Sequence, residues 1–113
     1  MTSDVRITVA VARVLREFLA DVTQPRYGYD LMEATGYPSG KLYPILARLK
    51  GAGWLTRTPE ETDPSQAGRP ARYLYRLTPD GAELARQELA TLSAQLSISP
   101  QRRLRPQAEG GRA

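Results

Sequence analysis

Between Glu33 and Glu60 the chain has no acidic residue, while Lys41, Arg48, Lys50 and Arg57 all fall inside that window. Guanidinium and ammonium groups gathered without carboxylates to neutralise them suit phosphate, or the O6 and N7 acceptors of a guanine. Laid on a helix, Gly40, Lys41, Pro44, Ala47 and Arg48 share one side, with Tyr43 at its margin. Three of these are small or compact, so the backbone itself can approach another surface closely. Catalytic chemistry has no such footing. The chain has no histidine and no cysteine, which removes the commonest general base and zinc ligand and the thiolate nucleophile. The acids are scattered without a paired constellation, and no Gly-rich phosphate signature occurs. No catalytic residue, metal site or cofactor is expected, and an enzyme is the function class least favoured.

The elements that must carry the basic face follow from periodicity. Leu42, Ile45, Leu46 and Leu49 recur at i, i+3, i+4 and i+7, the apolar side of a helix over about residues 39–52. Ser39 is its expected cap. Pro44 conflicts with that helix, since it removes a hydrogen bond to Gly40 and crowds that carbonyl at a usual cost of about 3 kcal/mol. The apolar period on both sides of it argues that the helix continues through an irregular first turn. A shorter helix over residues 27–35 precedes it, ended by Gly36. A short helix, a turn and a basic second helix make a helix-turn-helix, the arrangement that sits in a major groove.

After this unit, residues 54–58 alternate as a strand, with Trp54 and Thr56 on one face and Leu55 and Arg57 on the other. Residues 59–71 are dense in turn formers and acids and are expected to be a mobile loop. Residues 72–78 alternate again, so the segment from 54 to 78 reads as a β-wing. Trp54 is expected as a core anchor. Arg69 and Arg72 flank Pro70 on the wing's return arm, where they would clasp phosphates or enter a minor groove. Glu60, Glu61 and Asp63 would oppose DNA and are expected to face away from it. Tyr27 is the tyrosine of the short helix expected to reach a phosphate, ahead of Tyr29.

Three segments of the chain, YGYDLMEATG, PSGKLYPILARLKGAGWL and GRPARYLYRLTPDG, resemble the PadR family of winged-helix transcriptional regulators over roughly residues 27–83. Members of that family show a Gly-Tyr-acid-Leu helix, an S/P-G-x-L-Y-P-x-L recognition helix and a Gly-Arg-Pro wing leading into Y-x-L-T-x-x-G. Lys41 departs from the pattern, which often has Thr or Ser there. The resemblance implies an α+β, mainly helical fold: a winged helix-turn-helix with an N-terminal helix and a C-terminal dimerisation helix, of the short variety. It implies a dimeric, sequence-specific regulator, acting as a repressor on a palindromic operator in double-stranded DNA. Lys41 and Arg48 would be the candidates for base edges, and Tyr27, Ser39, Tyr43, Arg69 and Arg72 for phosphates, with Gly40 giving close backbone approach. The competing reading is a winged-helix module docking on an acidic protein partner. Family members often respond to small aromatic molecules, but one Trp and one Phe indicate no obvious pocket here.

At 113 residues the chain has room for one domain and a modest core. An apolar stripe of Ile7, Val11, Val14, Leu15, Phe18, Leu19 and Val22 predicts a first helix. Its wide face exceeds what one small core needs, which suits a dimer contact through Val11, Leu15 and Phe18. Thr78-Pro79-Asp80 is a helix start, with Thr as cap and Pro at the first helical position. The helix over 79–96 carries Ala85, Leu89, Leu92 and Leu96 spaced 4, 3 and 4 apart, a seam with little of its own domain to pack on. Homodimerisation of this helix against its partner's first or last helix is the economical account.

Domain organisation is thus a winged unit over 1–78, a dimerisation helix over 79–96 and a disordered basic tail over 97–113. The formal charge is +4; four arginines against Glu109 give that tail +3, leaving +1 for residues 1–96. The high pI is therefore largely a tail effect, and the cluster from Lys41 to Arg57 is the better argument for nucleic acid. No apolar run approaches the roughly 20 residues of a membrane span, and the N-terminus lacks a secretory pattern. A cytoplasmic, nucleoid-associated protein is expected.

Overall fold

Thr8 opens the first helix, α1 (Val9–Leu19), by accepting a hydrogen bond from the Val11 amide at 3.1 Å, which satisfies one of the orphan donors of the first turn. In the computed structural model, the described residues are 5–61, 64–68 and 72–97. Chain order is then β1 (Arg26–Tyr27), α2 (Gly28–Thr35), α3 (Ser39–Gly51), β2 (Leu55–Pro59), a one-turn α4 (Pro64–Ala67), β3 (Tyr73–Leu77) and α5 (Pro79–Ser97). The architecture is α+β and mainly helical. Three strands form one antiparallel sheet in the order β1-β3-β2, with Arg57 opposite Tyr75 and Tyr27 opposite Leu74.

The core lies where α1, α2, α3 and the start of α5 meet the inner face of the sheet. Val11, Val14, Leu15 and Phe18 of α1 pack with Leu31, Leu42, Ile45, Leu46, Leu49, Trp54, Leu55, Tyr75, Leu77, Ala82 and Ala85. Each fully buried Leu or Phe contributes about 1.5–3 kcal/mol by leaving water. The period read along α3 is realised in full: all four of its apolar positions are buried. Gly36 ends α2 with a positive φ of 77°, its amide reaching the Met32 carbonyl at 2.8 Å. Gly53 turns the chain out of α3 at φ 84°.

Trp54 ties three elements together. Its side chain is buried, its amide donates to the Leu49 carbonyl at 2.9 Å, and its carbonyl accepts from the Thr78 amide at 2.9 Å. Thr78 caps α5, its hydroxyl accepting from the Gly81 amide at 2.8 Å and donating to the Gly53 carbonyl at 2.8 Å. Gly81 sits directly on the Trp54 backbone, leaving no space for a Cβ. The first turn of α5 is thereby clamped onto the end of the helix-turn-helix. Further along, α5 leaves the core: Leu89 is half-buried and Leu96 is 68% exposed.

Several expectations are corrected. Tyr27 lies in β1 and not in the short helix, because two residues pair with β3 before the helix starts; so brief a strand has no period to read. Ser39 is the first residue of α3 and caps nothing; Pro38 is the cap, its carbonyl accepting from Lys41 and Leu42 at 3.0 and 2.9 Å. Trp54 precedes the strand, so Trp54 and Leu55 are both buried where alternation would separate them. The loop over 59–71 contains the α4 turn. Val11, Leu15, Phe18 and Ala85, expected at a dimer contact, are at most 1% exposed within the single chain. They belong to the core that this chain closes by itself. Asp63, Arg69, Pro70 and the tail from residue 98 onward lie outside the described residues. Among the described residues, no helix is long and apolar enough to cross a membrane.

Candidate nucleic-acid interface

Burial of Leu42, Ile45, Leu46 and Leu49 turns the opposite side of α3 outward. Ser39, Gly40, Lys41, Tyr43, Pro44, Ala47, Arg48 and Lys50 are all exposed. Pro44 lies inside the helix without ending it. Lacking an N–H, it leaves the Gly40 carbonyl without its helical donor, and the exposed position lets water replace the bond. Nothing lies within 4 Å of where a Cβ at Gly40 would stand, so the approach to that backbone is open. Arg48 and Lys50 occupy the last turn, where cations also complement the helix dipole.

Beside this face the sheet builds a cleft of about 230 Å³ lined by Tyr27, Gly28, Tyr29, Tyr43, Arg72, Tyr73 and Tyr75. Five of the chain's six tyrosines therefore converge on one place, against the expectation of no pocket. They do so because β1 pairs with β3, which sets the start of α2 against the wing. Tyr43 leans over Gly28 so closely that a Cβ there would overlap its phenol.

The cations here rest on rings. The Lys41 ammonium lies 4.4 Å from the Tyr37 centroid, the Arg57 guanidinium 4.3 Å from that of Tyr73, and the Arg72 guanidinium 5.7 Å from that of Tyr27. Contacts of this kind contribute about 0.5–1 kcal/mol at exposed sites. They also hold long side chains in place without cancelling their charge.

Two tyrosines are committed to carboxylates. The Tyr27 hydroxyl donates to Glu60 Oε2 at 3.2 Å, so its proton is not free for a phosphate. The Tyr29 phenol is raised above its ordinary value, first by its hydrogen bond to Glu33 and then by the charge of that carboxylate. Glu60 is brought to Tyr27 by its own amide, which is bonded to the Arg72 carbonyl at 2.9 Å across the wing. Burial raises the Tyr75 phenol above its ordinary range, while the hydrogen bond from Arg57 works in the other direction.

Of the expected DNA-facing residues, Ser39, Gly40, Lys41, Tyr43 and Arg48 share the exposed side of α3, and Tyr27 and Arg72 line the adjoining cleft. Sequence reasoning overlooked Tyr73, Tyr75 and Gly28 in this place. Tyr73 and Tyr75 stand two apart on β3 and so share a face, and Arg57 belongs to the acid-free window; the pairing register brings them together. Between α1 and α5, Leu89, Leu92 and Leu96 line a groove of about 400 Å³ with Val9, Ala12, Arg13, Arg16 and Ser93. Among the described residues, no group of acids could hold a metal ion.

Comparison with known proteins agrees with this arrangement. Residues 17–87 match the transcriptional regulator PadR-like family. No curated protein matches the chain in sequence. Among solved structures, the fold is similar to that of Bordetella bronchiseptica BpsR, a protein whose DNA binding is regulated by 6-hydroxynicotinic acid. The TM-score is 0.67 at 24% identity, over 88% of this chain and 69% of that one. It is also similar to a cysteine-to-serine mutant of MarR from E. coli, with a TM-score of 0.71 at 24% identity over 88% and 67% of the two chains. Reduced AbfR bound to DNA gives a TM-score of 0.62 at 25% identity, covering 84% of this chain and 60% of that one. The chain thus spans between 60% and 69% of the length of these three proteins.

Proposed function

The chain belongs to the PadR-like family of transcriptional regulators and is a DNA-binding regulator of the winged-helix type, and from that premise we propose that it works as a homodimeric repressor on a palindromic operator. The observation that carries this reading is the exposed, acid-free side of α3, flanked by the arginine-bearing wing. Each subunit lays α3 in one major groove, with Arg48 and Lys41 reaching guanine edges. Ser39, Tyr43 and Arg72 hold phosphates on either side and set the register. Open backbone at Gly40 lets the helix sit deep.

A helix-turn-helix dimer spans two half-sites about 34–36 Å apart, or a multiple of that. Its two-fold axis passes near α5, where Leu89, Leu92 and Leu96 offer apolar surface that this chain does not cover. In this division of labour the residues up to the wing read DNA and α5 joins the copies. A dimer fixed across an operator occludes it, which is repression in its simplest form. The AbfR structure, a similar fold bound to DNA, supports the docking mode.

The test is a gel shift with genomic fragments at moderate salt, competed by random duplex. Retention of one fragment, with a two-fold symmetric footprint, is expected. Arg48→Ala should cost about 1–3 kcal/mol and relax specificity at one position. No preference over random duplex, or equal affinity for heparin, would overturn the reading.

A further inference from the structure

The wing carries a cation that the recognition helix does not account for. Arg57 stands in the middle of β2 with its side chain exposed, directly opposite Tyr75 on β3. Its guanidinium lies 4.3 Å from the Tyr73 ring centroid and stands close enough to the Tyr75 phenol to oppose the upward pull of burial on it. Tyr73 and Tyr75 in turn line the cleft that Tyr43 of α3 and Arg72 share. Arg57 is therefore fixed at the wall joining the wing to the exposed side of α3. Both of its partners are neutral phenols, which orient the guanidinium without cancelling its charge.

An arginine free in solvent loses much rotamer entropy when it binds a phosphate; one already stacked on a ring loses less. Its planar fork also keeps its remaining donors aimed outward while one face lies on the ring. We propose that Arg57 is a DNA phosphate contact and that Tyr73 and Tyr75 are the positioning residues that hold it in place. The inference rests on the DNA-binding reading above and adds to it a contact from the body of the wing strand, distinct from the wing's return arm.

The experiment compares the full chain with Arg57→Ala, Tyr73→Phe, Tyr73→Leu, Tyr75→Phe and Arg48→Ala. Each is titrated with a duplex selected from genomic DNA and with a random duplex, across about 50 to 200 mM salt. Arg57→Ala should weaken both duplexes alike and lower the slope of log affinity against log salt by about 0.9 for each phosphate it ceases to neutralise. Tyr73→Leu and Tyr75→Phe keep the charge, so each should weaken binding several-fold, on the order of 3- to 10-fold, with that slope retained. Tyr73→Phe keeps the ring and should behave as the parent. Tyr73 is 41% exposed, so its replacement is compatible with folding, and a thermal melt of each variant verifies this. An unchanged affinity and slope in Arg57→Ala, with Arg48→Ala still impaired, overturns this inference and leaves the DNA-binding reading standing. Equal behaviour of Tyr73→Leu and Tyr73→Phe overturns the positioning role. Loss of duplex preference in the parent chain itself is the separate failure of the broader reading.

Discussion

Replacing Gly81 by alanine sets two ordinary rules against each other. Alanine inside a helix is favoured over glycine by about 1 kcal/mol, so propensity alone expects α5 to gain stability. The structure predicts the reverse. A Cβ at position 81 would overlap the carbonyl oxygen, Cα and carbonyl carbon of Trp54. Those are backbone atoms and cannot swing aside as a side chain can. Trp54 is itself pinned by its bonds to Leu49 and Thr78, so α5 must move outward and loosen Ala82 and Ala85 from the core. Overpacking of this kind costs about 1–3 kcal/mol, and a rigid obstacle points to the upper end. Setting about 3 kcal/mol of strain against about 1 of propensity leaves a net loss near 2 kcal/mol. For 113 residues the unfolding entropy is about 0.24 kcal/mol per degree, so the melting midpoint should fall by about 8 °C. Circular dichroism melts of parent and variant at one protein concentration would measure this, since association shifts apparent stability. A midpoint equal to or above the parent's would refute the claim that Gly81 is required by backbone contact.

Gly40→Ala meets nothing within 4 Å, so it should raise stability by about 0.5–1 kcal/mol while weakening operator binding, as a melt paired with a DNA titration would reveal. Leu92→Glu removes apolar surface outside the core cluster. At a two-fold interface the loss counts twice, so the dimer should weaken by about 100-fold or more; sedimentation showing an unchanged dimer with normal melting would place the interface elsewhere. Tyr75 is held protonated by burial, so its folded pKa exceeds its unfolded one. Its contribution is full below pH about 10 and is lost as pH rises through the folded value. Tyr75→Phe should therefore flatten part of the alkaline decline in urea midpoints, and an identical decline in both proteins would contradict that.

Periodicity made the helices and the wing legible because each buries one face against a common core. The stripe Leu42, Ile45, Leu46, Leu49 is read correctly despite Pro44, since four buried side chains outweigh one absent hydrogen bond. The start of α5 was equally plain, because Thr78-Pro79-Asp80 states its cap chemically. The wide apolar face of α1 was harder to apportion between the core and a partner. Val11, Leu15 and Phe18 face inward on a core whose size depends on how closely α1 packs on α2 and α5, a long-range quantity. The Tyr27–Glu60 bond spans 33 residues and depends on a two-residue strand too brief to leave a pattern. The tyrosine cleft was hidden for the same reason: register, not composition, gathers its walls.

That two-residue strand has a mechanical consequence. A hairpin bonded along one edge alone would be free to tilt by itself. Here β3 is bonded on both edges, to β2 on one side and to Arg26 and Tyr27 on the other, and Tyr27 leads without a gap into α2. Any tilt of the hairpin must drag the amino end of α2 along with it, and α2 packs directly against α3. Hairpin and helix pair are geared together, so a push on either is transmitted to the other.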